Sequence, residues 1–113
     1  MKKHIWFEVT ATDSVRVKKL VRQFRQLVGQ QDNDCTRRLL EAYQGNITEE
    51  TAHTVGNAVD AIEDMIQYAE QTAAVSDAIT EMSIFSLQGE LQKEQNRLAS
   101  ILYAFKKEGV DID

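Results

Sequence analysis

Residues 2–10 read KKHIWFEVT, the only run in the chain whose apolar residues alternate as they do in a strand. Ile5, Phe7 and Val9 fall on one face of such a strand, and His4, Trp6, Glu8 and Thr10 on the other. The rest of the chain carries the three-and-four spacing of helices. A lone strand cannot satisfy its own backbone donors and acceptors, and no second stretch has comparable strand character. The simplest partner is the same strand of a second copy, so the reading predicts strands paired across a dimer.

The 113 residues suffice for one domain with a modest core. There is no proline and there are only five glycines, which favours a mostly helical chain over a sandwich or barrel. The opening MKK is not followed by the apolar core of a secretory signal, and no apolar run is long enough to span a bilayer. A cytoplasmic protein that makes no membrane contact is therefore expected. The single cysteine, Cys35, has no partner for an internal disulfide, which agrees with a reducing compartment.

Charge is unevenly distributed. Nine Lys and Arg stand against five acids through Tyr43, a net of +4, and the remainder has four against thirteen, a net of -9. A basic amino-terminal part thus joins an acidic carboxy-terminal part, with a boundary expected at Gly45 and Asn46. This divides the chain into a strand-helix-helix segment for DNA binding and dimerisation, 1–45, and an acidic helical hairpin for oligomerisation or partner binding, 46–113, in a homodimer or higher oligomer.

The first helix is expected over about 14–28, capped by Thr12 or Asp13. Val17, Leu20, Val21, Phe24, Leu27 and Val28 form its apolar face, with Lys18, Arg22 and Arg25 stacked on another. Gly29 is a natural stop. A short helix over about 35–44 would bury Leu39, Leu40 and Tyr43 and expose Arg37 and Arg38. Asn46 with Glu49 has the spacing of a capping box for a third helix, whose seam runs through Ala52, Val55, Val59, Ile62, Ile66, Ala69 and Ala73. A fourth, over about 75–107, repeats Ile84, Leu91, Leu98 and Phe105 by sevens and packs antiparallel on the third. The break between them is expected near 72–77, with Gly89 as a rival break or a close-contact position. Gly109 ends the last helix. The predicted fold is mainly α: a short N-terminal strand followed by four helices.

The segment IWFEVTATDSVRVKKLVRQFRQLVGQQDNDCTRRLLEAY, strand then helix then helix, resembles the ribbon-helix-helix family of DNA-binding proteins. The resemblance covers about two-fifths of the chain. It implies an antiparallel ribbon in the major groove, with Ile5, Phe7 and Val9 facing the dimer core. Trp6, Glu8 and Thr10 would then face base edges, with His4 on the same side of the ribbon. Lys2 and Lys3, joined by Lys18, Arg22 and Arg25, would neutralise phosphates. Trp6 and Glu8 depart from the short polar or basic side chains expected at groove-facing positions, and Asp32 and Asp34 place negative charge where the next helix should meet a phosphate.

Signs of catalysis are sparse. Glu50 and His53 have the Glu-x-x-His spacing that sets both groups on one helix face, but a di-metal bundle needs two such pairs. Cys35 has Arg37 and Arg38 near it but no histidine as a base, so a buried thiol is expected. Phosphate loops and nucleophile elbows are absent. The expectation is a non-enzymatic protein without metal or cofactor: a dimeric DNA-binding protein, such as a small repressor or a plasmid-transfer accessory protein. The alternative is an all-helical interaction module, such as a small inhibitor or immunity-type protein, that engages a protein partner through its acidic hairpin.

Overall fold

The computed structural model describes residues 5–29 and 33–112, apart from the Asn33 side chain. It is built from four helices: α1 (Ala11–Leu27), α2 (Asn33–Glu41), α3 (Ala52–Ala73) and α4 (Ala78–Lys107). The helices α3 and α4 form the expected antiparallel hairpin. Gln88 Nε2 donates to the Ile66 carbonyl and Gln95 Nε2 to the Val59 carbonyl, each at 3.2 Å, which fixes the antiparallel register. Alanines at 52, 58, 61, 69 and 73 line the buried face of α3, and their small side chains admit neighbouring helices closely. The helix α2 packs on α3, and α1 lies along α4. Val17, Phe24, Leu39, Ile62, Leu91 and Leu98 belong to one core, so residues before and after Gly45 are buried together. No helix is long and apolar enough to cross a membrane among the described residues.

The predicted strand is corrected by the structure. Among the described residues there is no sheet, only one antiparallel bridge between Phe7 and Ile47. Phe7 N donates to Ile47 O at 2.9 Å, and Ile47 N returns a bond to Phe7 O at 2.8 Å. Val9 N, on the same strand edge, donates to Asn46 Oδ1 at 3.2 Å. That edge is therefore occupied by the chain's own α2–α3 connection, and the predicted strand pairing between copies is not supported. The alternation itself survives: Ile5, Phe7 and Val9 pack on the core while Trp6, Glu8 and Thr10 are exposed. The Phe7 ring meets Phe105 edge-on with centroids 5.6 Å apart, clamping the extended segment to the end of α4.

Helix boundaries follow from their caps. Thr10, rather than Thr12 or Asp13, caps α1: Thr10 Oγ1 accepts from Asp13 N at 3.1 Å, and Asp13 Oδ2 accepts from Thr10 N at 3.0 Å. This reciprocal box starts the helix three residues earlier than expected. The capping box expected at Asn46 does not form, because Asn46 is bonded to Val9 and Ile47 is buried in its bridge; α3 begins only at Ala52. The hairpin turns at 74–77, where Asp77 Oδ1 accepts from Thr80 N at 2.8 Å. Gly109, at φ +82°, closes α4 with Val110 N bonded to Phe105 O and Gly109 N to Lys106 O, both at 3.0 Å.

Candidate nucleic-acid interface

From Ser14 to Gln31 the sequence has five cations and no acid. Helix α1 sorts them by angle. Val17, Leu20, Val21 and Phe24 are buried, so a helical repeat of 3.6 turns Lys18, Lys19 and Arg22 outward, where all three are exposed. None of the three makes an ion pair among the described residues. Arg25 is half-buried and donates from Nη2 to Thr36 Oγ1 at 3.2 Å, which ties α1 to α2 and leaves it at the border of the row.

The other arginines are committed. Arg37 bridges Asp34 and Glu41, the latter at 2.7 Å, and Arg38 meets Asp34 at 3.0 Å and Asp64 at 3.1 Å. These carboxylates hold the Arg37 guanidinium above its ordinary basicity, with Asp34 the larger influence. Arg16 and Arg97 both serve Glu94, whose side chain is only 2% accessible. Arg16 Nε donates to Glu94 Oε1 at 2.7 Å and its Nη2 to Oε2 at 3.3 Å, while Arg97 Nη1 reaches Oε1 at 3.1 Å. The Tyr43 hydroxyl donates to Oε2 in a short contact. Burial first, then this bond, raises the Tyr43 phenol well above its ordinary value. Bonding to Glu94 likewise strengthens Arg16 as a base.

The Glu94 cluster was missed by sequence reasoning, which counted Glu94 among the acids of the hairpin. The signal was present: Glu94 falls three residues after Leu91 and four before Leu98, inside the apolar seam of α4. A carboxylate there requires donors from elsewhere in the fold. It joins α1, the end of the α2 region and α4, and its burial keeps it from reaching a bound molecule.

The remaining predicted site residues are scattered. Lys2, Lys3 and His4 lie outside the described residues. Trp6 is 59% exposed on the extended segment that bridges to Ile47, and Glu8 is exposed beside it. The Thr10 hydroxyl is used as a helix cap and is not aimed outward as a reader. Glu50 lies in the turn before α3 and His53 within it, so their spacing does not place both on one helix. Among the described residues no three His, Cys, Asp or Glu side chains cluster closely enough to hold a metal ion. Cys35 is buried at the start of α2.

The fold and this surface define a mainly helical protein with a cationic outer helix on an acidic hairpin. No family model, curated protein or solved structure matches the chain.

Proposed function

We propose that this is a non-enzymatic DNA-binding protein whose α1 takes the phosphate backbone of duplex DNA. The observation that carries the reading is the row Lys18, Lys19 and Arg22: exposed cations that form no ion pair among the described residues, on a chain whose net charge is -5 and whose other described arginines are engaged. Extended to Arg25, the row covers about 10 Å of helix axis at 1.5 Å per residue, enough to lie along about three phosphates of one strand. Contacts of this kind neutralise charge and position the duplex without reading its sequence. The net charge of -9 beyond Tyr43 repels phosphate, which limits the footprint to the basic amino-terminal part. Such a protein acts as a small repressor or plasmid-transfer accessory protein does, by occupying DNA.

The test is fluorescence anisotropy of a labelled duplex of mixed sequence between 50 and 200 mM salt. Affinity is expected to fall with salt at a slope of about 0.9 per phosphate neutralised. Reversing Lys18, Lys19 and Arg22 to Glu together should abolish the binding while leaving circular dichroism unchanged, since these side chains are exposed. Equal binding by the reversed variant, or no salt-dependent binding by the native chain at micromolar concentration, refutes the proposal.

A further inference from the structure

Helix α4 is apolar on two opposite sides. One carries Ile84, Leu87, Leu91, Leu98 and Phe105, all buried against the rest of the chain. The other, in its first three turns, carries Ile79, Met82 and Phe85, which are 81%, 72% and 52% exposed, with Val75 at 86% just before the helix. At roughly 150–200 Å² for side chains of this size, the four leave on the order of 500 Å² of apolar surface in one place. A helix that is apolar on both sides is normally covered on both. The patch has the size of the largest apolar patch on an ordinary monomer, which is often functional.

Gly89 supplies an independent observation. It sits within the unbroken 30-residue α4, where glycine weakens a helix relative to alanine. A Cβ at this position would meet nothing within 4 Å, so no contact inside the chain requires its absence. Ile79, Met82, Ser86 and Gly89 follow one another at steps of three, four and three on the outer side of the helix. Large residues thus lead this stripe and small ones end it.

We propose that the occupant is a second copy of this chain, with the α4 helices packed antiparallel about a twofold axis at the level of Ile84. That register sets Ile79 of each copy against Gly89 of the other, and Met82 against Ser86. Phe85 meets Phe85 of the partner subunit beside the axis. Along the stripe a large residue lies against a small one, with the Phe85 pair beside the axis, which is the self-complementarity an isologous interface requires. The missing Cβ of Gly89 lets the second helix approach. Burying the patch on both copies removes on the order of 1,000 Å² from water, the lower bound for a specific interface. This interface is distinct from the strand pairing that the Phe7–Ile47 bridge replaces, and it does not depend on DNA binding. It has one consequence for α1. That helix lies beside Ser83, Ser86, Leu87 and Glu90 of α4, so the twofold brings both copies of it to the same side of the pair.

The experiment uses the full chain without nucleic acid. Sedimentation equilibrium from 1 to 100 μM is expected to show a dimer, and Met82→Lys is expected to weaken self-association about a hundredfold. Met82 is exposed in the single chain, so an unchanged circular dichroism spectrum verifies that the variant folds. Register is read by a short bis-maleimide linker, with the buried Cys35 protected. Phe85→Cys should cross-link to itself. Ser100→Cys should not, because sixteen residues from the axis at 1.5 Å each separates the two copies by about 48 Å. A monomer at 100 μM, an undiminished dimer in Met82→Lys, or linking at position 100 as efficient as at 85 overturns the proposal.

Discussion

Replacing Arg16 by Met should remove a large share of the stability of this fold while leaving the helix itself intact. Methionine retains the apolar stem and a good helix propensity, so the loss isolates the guanidinium. Arg16 makes two bonds to Glu94, at 2.7 and 3.3 Å, and a third contact to Asp13 at 2.8 Å. Its side chain is 28% accessible, and that of Glu94 only 2%. Without Arg16, the Glu94 carboxylate keeps the Tyr43 hydroxyl and Arg97, but the latter is 48% accessible and its attraction is screened by water. Removing the principal partner of a buried charge costs about 3–5 kcal/mol. For a domain whose total stability is about 5–15 kcal/mol, that is about a fifth or more. Tyr43→Phe deletes one hydrogen bond to a charged group and should cost about 1.5–3 kcal/mol, whereas Arg97→Met should cost less than about 1 kcal/mol. Urea denaturation followed by circular dichroism gives all three values at constant slope. An Arg16→Met variant within about 1 kcal/mol of the native chain, or an Arg97→Met variant as damaged as Arg16→Met, refutes the argument that burial decides which partner of Glu94 matters.

Further outcomes are expected from the same structure. Thr10→Ala should destabilise the fold by about 1 kcal/mol, since it deletes one half of the α1 capping box, and Thr10→Ser should restore most of the loss in denaturant titrations. Asp13 has its carboxyl held below its ordinary value, first by the Thr10 backbone N–H and then by Arg16. A depressed acid stabilises above its unfolded pKa, so the stability difference between the native chain and Asp13→Asn should be full at pH 6 and shrink as pH falls below about 4. An undiminished difference at the lowest pH where the fold persists would contradict this. Cys35, 1% exposed, should react with a thiol reagent only on unfolding, at a rate that rises with urea; rapid modification of the native protein would show that α2 opens locally.

The sequence alone determined the helical class, the antiparallel hairpin and the cationic face of α1, because these depend on periodicities within single elements. The seams through Val55, Ile62 and Ala69 and through Ile84, Leu91 and Leu98 are readable without knowing what they touch. The same local logic placed the stop at Gly29 and the end at Gly109, both with positive φ. It correctly turned Ile5, Phe7 and Val9 inward. What local pattern cannot carry is the identity of a distant partner. An alternating run needs backbone partners, yet nothing within it says that they come from Ile47, forty residues on in the same chain, and not from a second copy. Glu94 looked like one more solvated acid because its burial depends on Arg16 and Tyr43, 78 and 51 residues away. Thr10 and Asn46 differ: the Thr10–Asp13 box is a local pattern that the reading of Thr10 as a base-facing strand residue passed over, whereas Asn46, read as the cap of the third helix, serves Val9, 37 residues away. Periodicity states which side of an element must be covered, and the tertiary structure decides what covers it.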